Sequence, residues 1–387
     1  MAHAIRARFR ADRDRGSRSL RSLNLLDDQG LARGHPGRRE GGDTTGASSE
    51  GAGAHFVEGR SGDDGAVVPS VRQRRGSART FTQAEVHAVG PPAPQPARDL
   101  LAYQELVHRA RRFRVAAAYP SGVGAEAVIL QPFSDAHSDC PGFGGFPRLM
   151  AGVDAVVVAG DTRQGLATAL TELRAAYPHP VEILVVAGNH EFWGSVWSRE
   201  IDEGRRVAER LGIHYLEDEV VTLGRLRVLG CTLWTGYDAY GESLKPAAMR
   251  SAREEMRDHK RIKWSNDPWR RFRPEEARML HLRSRAFIED ELSRPHDGPT
   301  LVITHTAVSI ECIQPSRQKS IVSAAYFSEM LPTIDRHQPD LWIFGHTHHR
   351  TDFRRGKTRI LSNPMGYADE RTGYDPTLTI AIDGERP

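Results

Sequence analysis

The stretch VEILVVAGNHE, residues 181–191, decides the fold class of this 387-residue chain. Seven mostly apolar residues are followed by a polar turn, which is typical of a buried strand that ends in a loop. The run AVVVA, residues 155–159, stands before a Gly-Asp pair in the same way. Between the two runs, the leucines of residues 165–177 share one face of a predicted helix. Strand, helix and strand in this order predict an α/β fold.

Polar residues follow three more apolar runs farther out in the chain. The tripeptide DAH, residues 135–137, follows one run, His305 follows a second, and GHTH, residues 345–348, follows a third. Ligands of open α/β sheets bind at the carboxyl ends of the strands. The sequence therefore predicts that several strand ends bring Asp, Asn and His side chains to a common site.

These side chains are suited to binding divalent metal ions. Residues i and i+2 of a strand lie on the same face, so Asp135 with His137, and His346 with His348, can each hold one ion. Oxygen and imidazole donors without paired cysteines suit Mn, Fe, Zn, Ni or Co rather than a thiolate site. The three cysteines lie far apart in the sequence and lack the spacing of a disulfide framework.

The ordered series DAH, GD, GNHE, TH and GHTH resembles the metal-binding motifs of calcineurin-like metallophosphoesterases, in particular those of uncharacterised bacterial members. The resemblance extends over about residues 127–367, and Asp135, Asp161 and Asn189 are separated by 26 and 28 residues. It implies the fold of that family, a four-layer αββα sandwich. It also implies two divalent metal ions as cofactors, and hydrolysis of a phosphate mono- or diester by a hydroxide that bridges them.

The resemblance further implies a role for each residue of the series. Asp161 would bridge the two metals, and His190 would be the catalytic residue that donates a proton to the leaving oxygen. Glu191 would contact residues of the site without binding a metal itself. The implied ligands are Asp135, His137 and His348 for one metal, and Asn189, His305 and His346 for the other.

The second motif departs from one branch of the superfamily. Phosphoprotein phosphatases carry GDxVDRG there, whereas residues 160–165 read GDTRQG, so a protein Ser/Thr phosphatase is disfavoured. A nuclease or a cyclic-nucleotide phosphodiesterase is the alternative among enzymes. A non-catalytic scaffold with the same fold is a further alternative, but it predicts the loss of ligands that this sequence keeps.

Composition divides the chain into segments. Residues 1–98 are rich in Gly, Arg, Ser, Asp and Pro and poor in large apolar residues, which predicts a disordered tail. Apolar residues at helical spacing predict a helical lead-in over residues 99–122, and the phosphoesterase domain follows over residues 123–387. Within that domain, residues 236–299 predict a polar, mostly helical cap in which Pro274 starts a helix.

Charge and composition also restrict the partners. The 53 basic and 50 acidic residues nearly cancel, so any affinity for nucleic acid must be local. In the predicted cap, basic residues interleave with Trp264 and Trp269 and could bind nucleic acid, but acidic residues in the same stretch favour a solvated surface. We expect a small phosphorylated substrate, with the oligomeric state left open. No apolar run approaches the roughly 20 residues that span a bilayer, which favours a cytoplasmic location without a membrane partner.

Overall fold

The computed structural model describes residues 127–383, and all structural statements below refer to this part of the chain. The predicted disordered tail over residues 1–98 and the predicted helical lead-in over residues 99–122 lie outside the described residues. Within them, no helix is both long enough and apolar enough to cross a membrane.

The described residues form thirteen strands and six α-helices. The strands are β1 (Val128–Phe133), β2 (Ala155–Ala159), β3 (Glu182–Val186), β4 (His214–Tyr215), β5 (Glu219–Leu223), β6 (Leu226–Cys231), β7 (Lys263–Asn266), β8 (Trp269–Arg271), β9 (Thr300–Thr304), β10 (Leu341–Phe344), β11 (Thr351–Arg355), β12 (Thr358–Ser362) and β13 (Ile380–Ile382). The helices are α1 (Leu166–Ala176), α2 (Trp197–Leu211), α3 (Lys245–Glu255), α4 (Asp258–Arg261), α5 (Pro274–Ser293) and α6 (Leu331–His337).

The strands build two mixed sheets and a separate hairpin. The first sheet has the order β13-β1-β2-β3-β4, and the second has the order β11-β12-β10-β9-β6-β5. The central strands of each sheet are parallel, while β13, β11 and β5 join at the edges in antiparallel pairing. Strands β7 and β8 form a separate two-stranded hairpin. The central parallel strands of each sheet therefore present their carboxyl ends along one edge.

Three apolar cores separate four layers, as expected for an αββα sandwich. Along β2, Val157 lies in the core between the two sheets, whereas its neighbours Val156 and Val158 lie in the core shared with α1 and α2. On the outer face of the second sheet, Trp342 shares a core with Ile334 of α6, and α5 contributes to the same core. The predicted α/β sandwich fold is thus confirmed.

Helix α2 was missing from the sequence prediction, because charged residues dominate its sequence. Its buried residues Trp197 and Ile201 nevertheless follow helical spacing. Gly204 marks the contact with α1, since a Cβ atom at this position would lie 2.2 Å from Cδ2 of Leu166. The two helices approach closely here and cover the outer face of the first sheet.

The insertion over residues 236–299 contains a hairpin besides the helices that the sequence predicts. It holds α3, α4 and α5, and the β7–β8 hairpin lies between α4 and α5. Trp264 of β7 is partly buried against Trp197, with ring centroids 5.5 Å apart, whereas Trp269 of β8 is 57% exposed. The hairpin was not predicted because its strands are short and polar, without the alternation that marks a half-buried strand.

Candidate metal centre

The carboxyl ends of five strands meet along one edge of the sandwich. β1 and β2 of the first sheet deliver Asp135 and Asp161, and β9 and β10 of the second sheet deliver His305 and His346. Asn189 follows β3 and contacts His305. The structure brings together all eight residues that the sequence singles out: Asp135, His137, Asp161, Asn189, His190, His305, His346 and His348.

One group of donors consists of Asp135, His137 and His348. Their ligand atoms lie within 4.8 Å of one another. Nε2 of His137 is 3.1 Å from Nε2 of His348, which is in turn 3.5 Å from Oδ1 of Asp135. Asp135 is fully buried, and its carboxylate also accepts the backbone N–H of His346 at 2.9 Å. We call this group the first cluster.

A second cluster consists of Asn189, His305 and His346. Nε2 of His305 is 3.0 Å from Oδ1 of Asn189 and 3.1 Å from Nδ1 of His346. The other ring nitrogen of His305 lies 2.8 Å from the carbonyl oxygen of Ala159, and this contact fixes the ring plane. Nε2 of His305 therefore faces the centre of the cluster.

Asp161 lies between the two clusters and faces both. Its Oδ1 is 3.4 Å from Nε2 of His305 in the second cluster. Its Oδ2 is 4.0 Å from Nε2 of His137 in the first cluster and 3.9 Å from Nε2 of His190. One carboxylate thus offers an oxygen to each side.

The donor set fits two divalent cations. Pairs of imidazole nitrogens face each other at about hydrogen-bond distance, and each pair can share only one proton. The same nitrogens converge with the buried carboxylates Asp135 and Asp161, and burying a carboxylate is costly unless a cation or a donor compensates its charge. Imidazole, carboxylate and amide oxygen donors in this arrangement suit metals of intermediate softness.

Several of these residues have strained backbone conformations. The φ angles of Asp135, His137, Asp161, His346 and His348 are 53°, 44°, 54°, 69° and 49°. Residues other than glycine rarely adopt positive φ, and each such residue costs about 1–3 kcal/mol where the surroundings enforce it. Strain of this kind concentrates at functional sites, so its clustering here supports a functional role for this edge.

Two glycines of the motifs make room for the ligands. A Cβ atom at Gly188 would lie 2.1 Å from Oδ1 of Asp161, and one at Gly160 would lie 2.5 Å from Nδ1 of His305. Gly160 also has a φ of 84°. The glycines that precede Asp161 and Asn189 are therefore required by the close approach of β2, β3 and His305.

A family model described as calcineurin-like phosphoesterase matches residues 133–350, which include all of the strand-end residues described above. The chain belongs to this family. Members of the family typically bind two divalent metals, and the two clusters are consistent with such a site.

Individual relatives of the chain are distant. An uncharacterised protein of Acanthamoeba polyphaga mimivirus is 22% identical over 217 residues, which are 52% of this chain and 74% of that protein. Phosphopantetheinyl hydrolase from Mycobacterium tuberculosis has a TM-score of 0.48 at 19% identity, over 64% of this chain and 92% of that one. The anchor in the inner membrane complex of Plasmodium has a TM-score of 0.33 at 14% identity, over 63% of this chain and 73% of that one.

Glu191 connects the loops that carry Asp161 and Asn189. Its carboxylate accepts the backbone N–H groups of Asp161 at 3.1 Å, Thr162 at 2.7 Å and Gly188 at 2.8 Å. Burial raises the pKa of Glu191 to about 7, and the charge of Asp161 adds to the shift. Glu191 therefore ties the ends of β2 and β3 together without facing the clusters itself.

The sequence prediction missed two carboxylates that hold ligands in place. Oδ1 of Asp258, in α4 of the insertion, accepts the Nδ2–H of Asn189 at 2.9 Å and the Nε1–H of Trp193 at 2.8 Å. This bond turns the amide oxygen of Asn189 toward the second cluster. Glu370, after β12, contacts Nδ1 of His348 at 2.5 Å, which directs the Nε2 of His348 toward the first cluster. Neither acid belongs to a motif, so no sequence signal marked them.

His190 stands beside Asp161 and is restrained by an aromatic neighbour. Its ring stacks on Trp193 with centroids 3.5 Å apart, and the guanidinium of Arg261 lies 4.6 Å above the Trp193 ring. Burial lowers the pKa of His190, although the charge of Asp161 opposes this shift. The ring is therefore held in one place close to the carboxylate shared by the clusters.

The clusters hold their carboxylates in the ionised form. Burial alone would raise the pKa of Asp161, but the charges of His305 and His190 lower it well below its usual value. Burial likewise opposes the charged form of His305, but Asp161 raises the pKa of this imidazole to about 9. A nitrogen that binds a metal must first lose its proton, so metal binding at His305 is expected to release one.

Proposed function

We propose that the protein is a metal-dependent phosphoesterase that hydrolyses a small phosphate mono- or diester. The observation that carries this proposal is the pair of donor clusters that share Asp161. Two divalent ions about 3.5–4 Å apart, when bound, lower the pKa of water toward neutrality and stabilise the charge of a phosphoryl group.

Seven side chains would hold the two ions. Asp161 would contact both, since its two oxygens face different clusters. The remaining ligands would be Asp135, His137 and His348 for the first ion, and Asn189, His305 and His346 for the second. These residues also fix where a phosphoryl group can lie, because the strand ends that carry them belong to the rigid sheets.

His190 would act as the general acid. Its Nε2 lies 3.9 Å from Asp161, next to the clusters but outside both ligand sets, and the stack on Trp193 restrains the ring. A positioned histidine that protonates a leaving oxygen typically contributes about 10² to 10⁴ in rate. The proton would move from the imidazole to the ester oxygen as its bond to phosphorus breaks.

The side-chain contacts of the insertion favour a small substrate over nucleic acid. Arg270 pairs with Glu276 at 2.7 Å and Arg253 pairs with Glu275 at 2.6 Å, so these cations are engaged within the insertion. Arg261 lies over Trp193. Paired cations attract a phosphate backbone less than a continuous basic groove does.

Substitution of His190 tests this proposal. We expect His190→Ala to keep its metals and to lose about 10² or more in kcat with an alkyl phosphate. The loss should be much smaller with 4-nitrophenyl phosphate, whose leaving group needs little protonation. His179→Ala, at an exposed histidine outside the site, serves as the control and should behave like the unmodified protein. Equal losses with both esters would contradict the acid role, and absence of hydrolysis by the metal-loaded protein would refute the proposed function.

A further inference from the structure

A cavity adjoins the first cluster on the side of His137. Its volume is about 200 Å³, and it lies between the loop after β1 and the loop that follows β12. His137 of the first cluster forms part of its wall, and Glu370, which holds His348, forms another part. The cavity therefore opens beside ligands of the proposed metal site.

Aromatic and apolar side chains form part of the walls of this cavity. Phe143 and Met365 contribute apolar surface, and Tyr367 and Tyr374 contribute rings. The Tyr367 ring is stacked on the His137 ring with centroids 4.4 Å apart. The hydroxyl of Tyr374 is buried and lacks a hydrogen-bond partner among the described residues.

The charges of the walls restrict what can bind. The lining includes no lysine or arginine, and its one carboxylate, Glu370, is engaged with His348. A second phosphate or a carboxylate on the ligand would find no cation in these walls, and burying an unpaired charge is costly. The cavity therefore suits an uncharged group.

The size of the cavity suits one ring. An apolar cavity of about 150 Å³ holds benzene, so 200 Å³ leaves room for a ring with a short substituent. The rings of Tyr367 and Phe143 offer it aromatic contacts, which add about 0.5–1.5 kcal/mol to the burial of apolar surface.

The position of His137 relates the cavity to the leaving group. The centroid of the His137 ring is 4.4 Å from that of Tyr367, in the cavity wall, and 4.4 Å from that of His190, the proposed acid. An alcohol whose oxygen is near His190 could therefore extend along His137 into the cavity. We propose that this cavity binds the alcohol portion of the substrate, and that the substrate is a phosphate ester of an uncharged, ring-bearing alcohol. This inference rests on the proposed function.

Filling the cavity is the most direct test. Gly144 lines the cavity at an exposed position, is not among the glycines with positive φ, and would place an added Cβ atom more than 4 Å from any other atom. Gly144→Leu therefore adds bulk without backbone strain. Ala368→Leu adds bulk from the opposite loop and serves as a second variant if the first one does not fold. Gly144→Ala is the matched control, since it adds a single carbon.

The substrates are benzyl phosphate and ethyl phosphate, whose leaving alcohols have similar acidity. With manganese-loaded protein, we expect kcat/KM for benzyl phosphate to exceed that for ethyl phosphate by at least about tenfold. Either leucine variant should reduce this preference to less than about threefold while ethyl phosphate is still hydrolysed. A 4-carboxybenzyl ester should be hydrolysed no better than the ethyl ester. Equal turnover of benzyl and ethyl phosphate, or an unchanged preference in both folded variants, would overturn the proposal.

Binding separates this inference from the proposed function. Benzylphosphonate and ethylphosphonate lack the ester oxygen and cannot be hydrolysed there. They share the phosphonate group, so the difference between their affinities, measured by calorimetry with manganese-loaded protein, reports the contribution of the cavity. Suppose that no ester is hydrolysed, but that benzylphosphonate binds at least about tenfold more tightly than ethylphosphonate and Gly144→Leu abolishes this difference. The cavity assignment then holds and the proposed reaction fails. Equal affinities for the two phosphonates would contradict the cavity assignment whatever the activity.

Discussion

The two clusters are supported by carboxylates from different parts of the chain. In the first, Glu370 from the loop after β12 holds His348, and these side chains are 20% and 15% exposed. In the second, Asp258 from the insertion holds Asn189, and it is only 5% exposed. The carboxylate that supports the second cluster is therefore buried within the insertion, whereas the one that supports the first cluster is partly exposed to solvent. This difference predicts that the insertion controls the stability of one metal site more than the other.

Loss of the residue common to both clusters should have the largest effect. Asp161→Asn removes the charge that faces both sides, so we expect both metal occupancies to fall and activity to drop by more than about 100-fold. The control is Asp202→Asn, at an exposed position of α2, which should leave both unchanged. Metal analysis and an assay with 4-nitrophenyl phosphate would measure the two effects. Full activity of Asp161→Asn would show that the clusters do not act as one site.

Removing the support of the second cluster should have the next largest effect. Asp258→Ala frees the amide of Asn189 and the indole of Trp193, so we expect the affinity of one of the two metals to fall about 10- to 100-fold. Calorimetric titration of the chelator-treated protein with manganese would resolve the two binding steps. A uniform loss at both steps would contradict a role confined to the second cluster.

Glu370→Ala should have a smaller effect on the first cluster. The contact of Glu370 with His348 is partly exposed to water, and water can replace it as the hydrogen-bond acceptor. We therefore expect a loss of less than about tenfold in the affinity of a single metal. The same titration measures it. A larger loss of metal affinity in Glu370→Ala than in Asp258→Ala would show that the first cluster depends more strongly on its supporting carboxylate than the second cluster does.

The two supporting carboxylates should also differ in how they respond to pH. Burial raises the pKa of Asp258 to about 6, so in the metal-free protein its ionisation lowers the free energy of unfolding as pH rises from about 4 to 7. Burial also disfavours ionised Glu370, but the hydrogen bond and charge of His348 outweigh it, so the pKa of Glu370 is lowered. Its stabilising contribution is present above the unfolded pKa and is lost on acidification.

Chemical denaturation with chelator present at several pH values would measure this contrast. Asp258→Asn should gain stability relative to the unmodified protein between pH 4 and pH 7, by up to about 2 kcal/mol. Glu370→Gln should instead be less stable than the unmodified protein, and this difference should grow as the pH rises through the lower part of the same range. Parallel pH profiles for both variants would contradict the assigned environments.

The motif residues could be predicted from the sequence, whereas the carboxylates that support them could not. The strand-end residues were readable because each motif follows an apolar run. Strand alternation was the wrong reason for grouping Asp135 with His137, since both lie beyond the end of β1 and have positive φ. Asp258 and Glu370 were not readable, since they lie 69 and 22 residues from their partners and in stretches rich in charge. A carboxylate in such a stretch looks like any solvated side chain until folding brings it to its partner. For the same reason, the β7–β8 hairpin and α2 became apparent only in the structure.

The number of metal ions held by each chain would show whether the two clusters form one dinuclear site. Elemental analysis of protein reconstituted with manganese, followed by a crystal structure with anomalous scattering, would count and locate the ions. We predict two ions per chain, about 3.5–4 Å apart, with Asp161 in contact with both. A single ion per chain, or two ions that do not share Asp161, would contradict a two-metal site joined by Asp161.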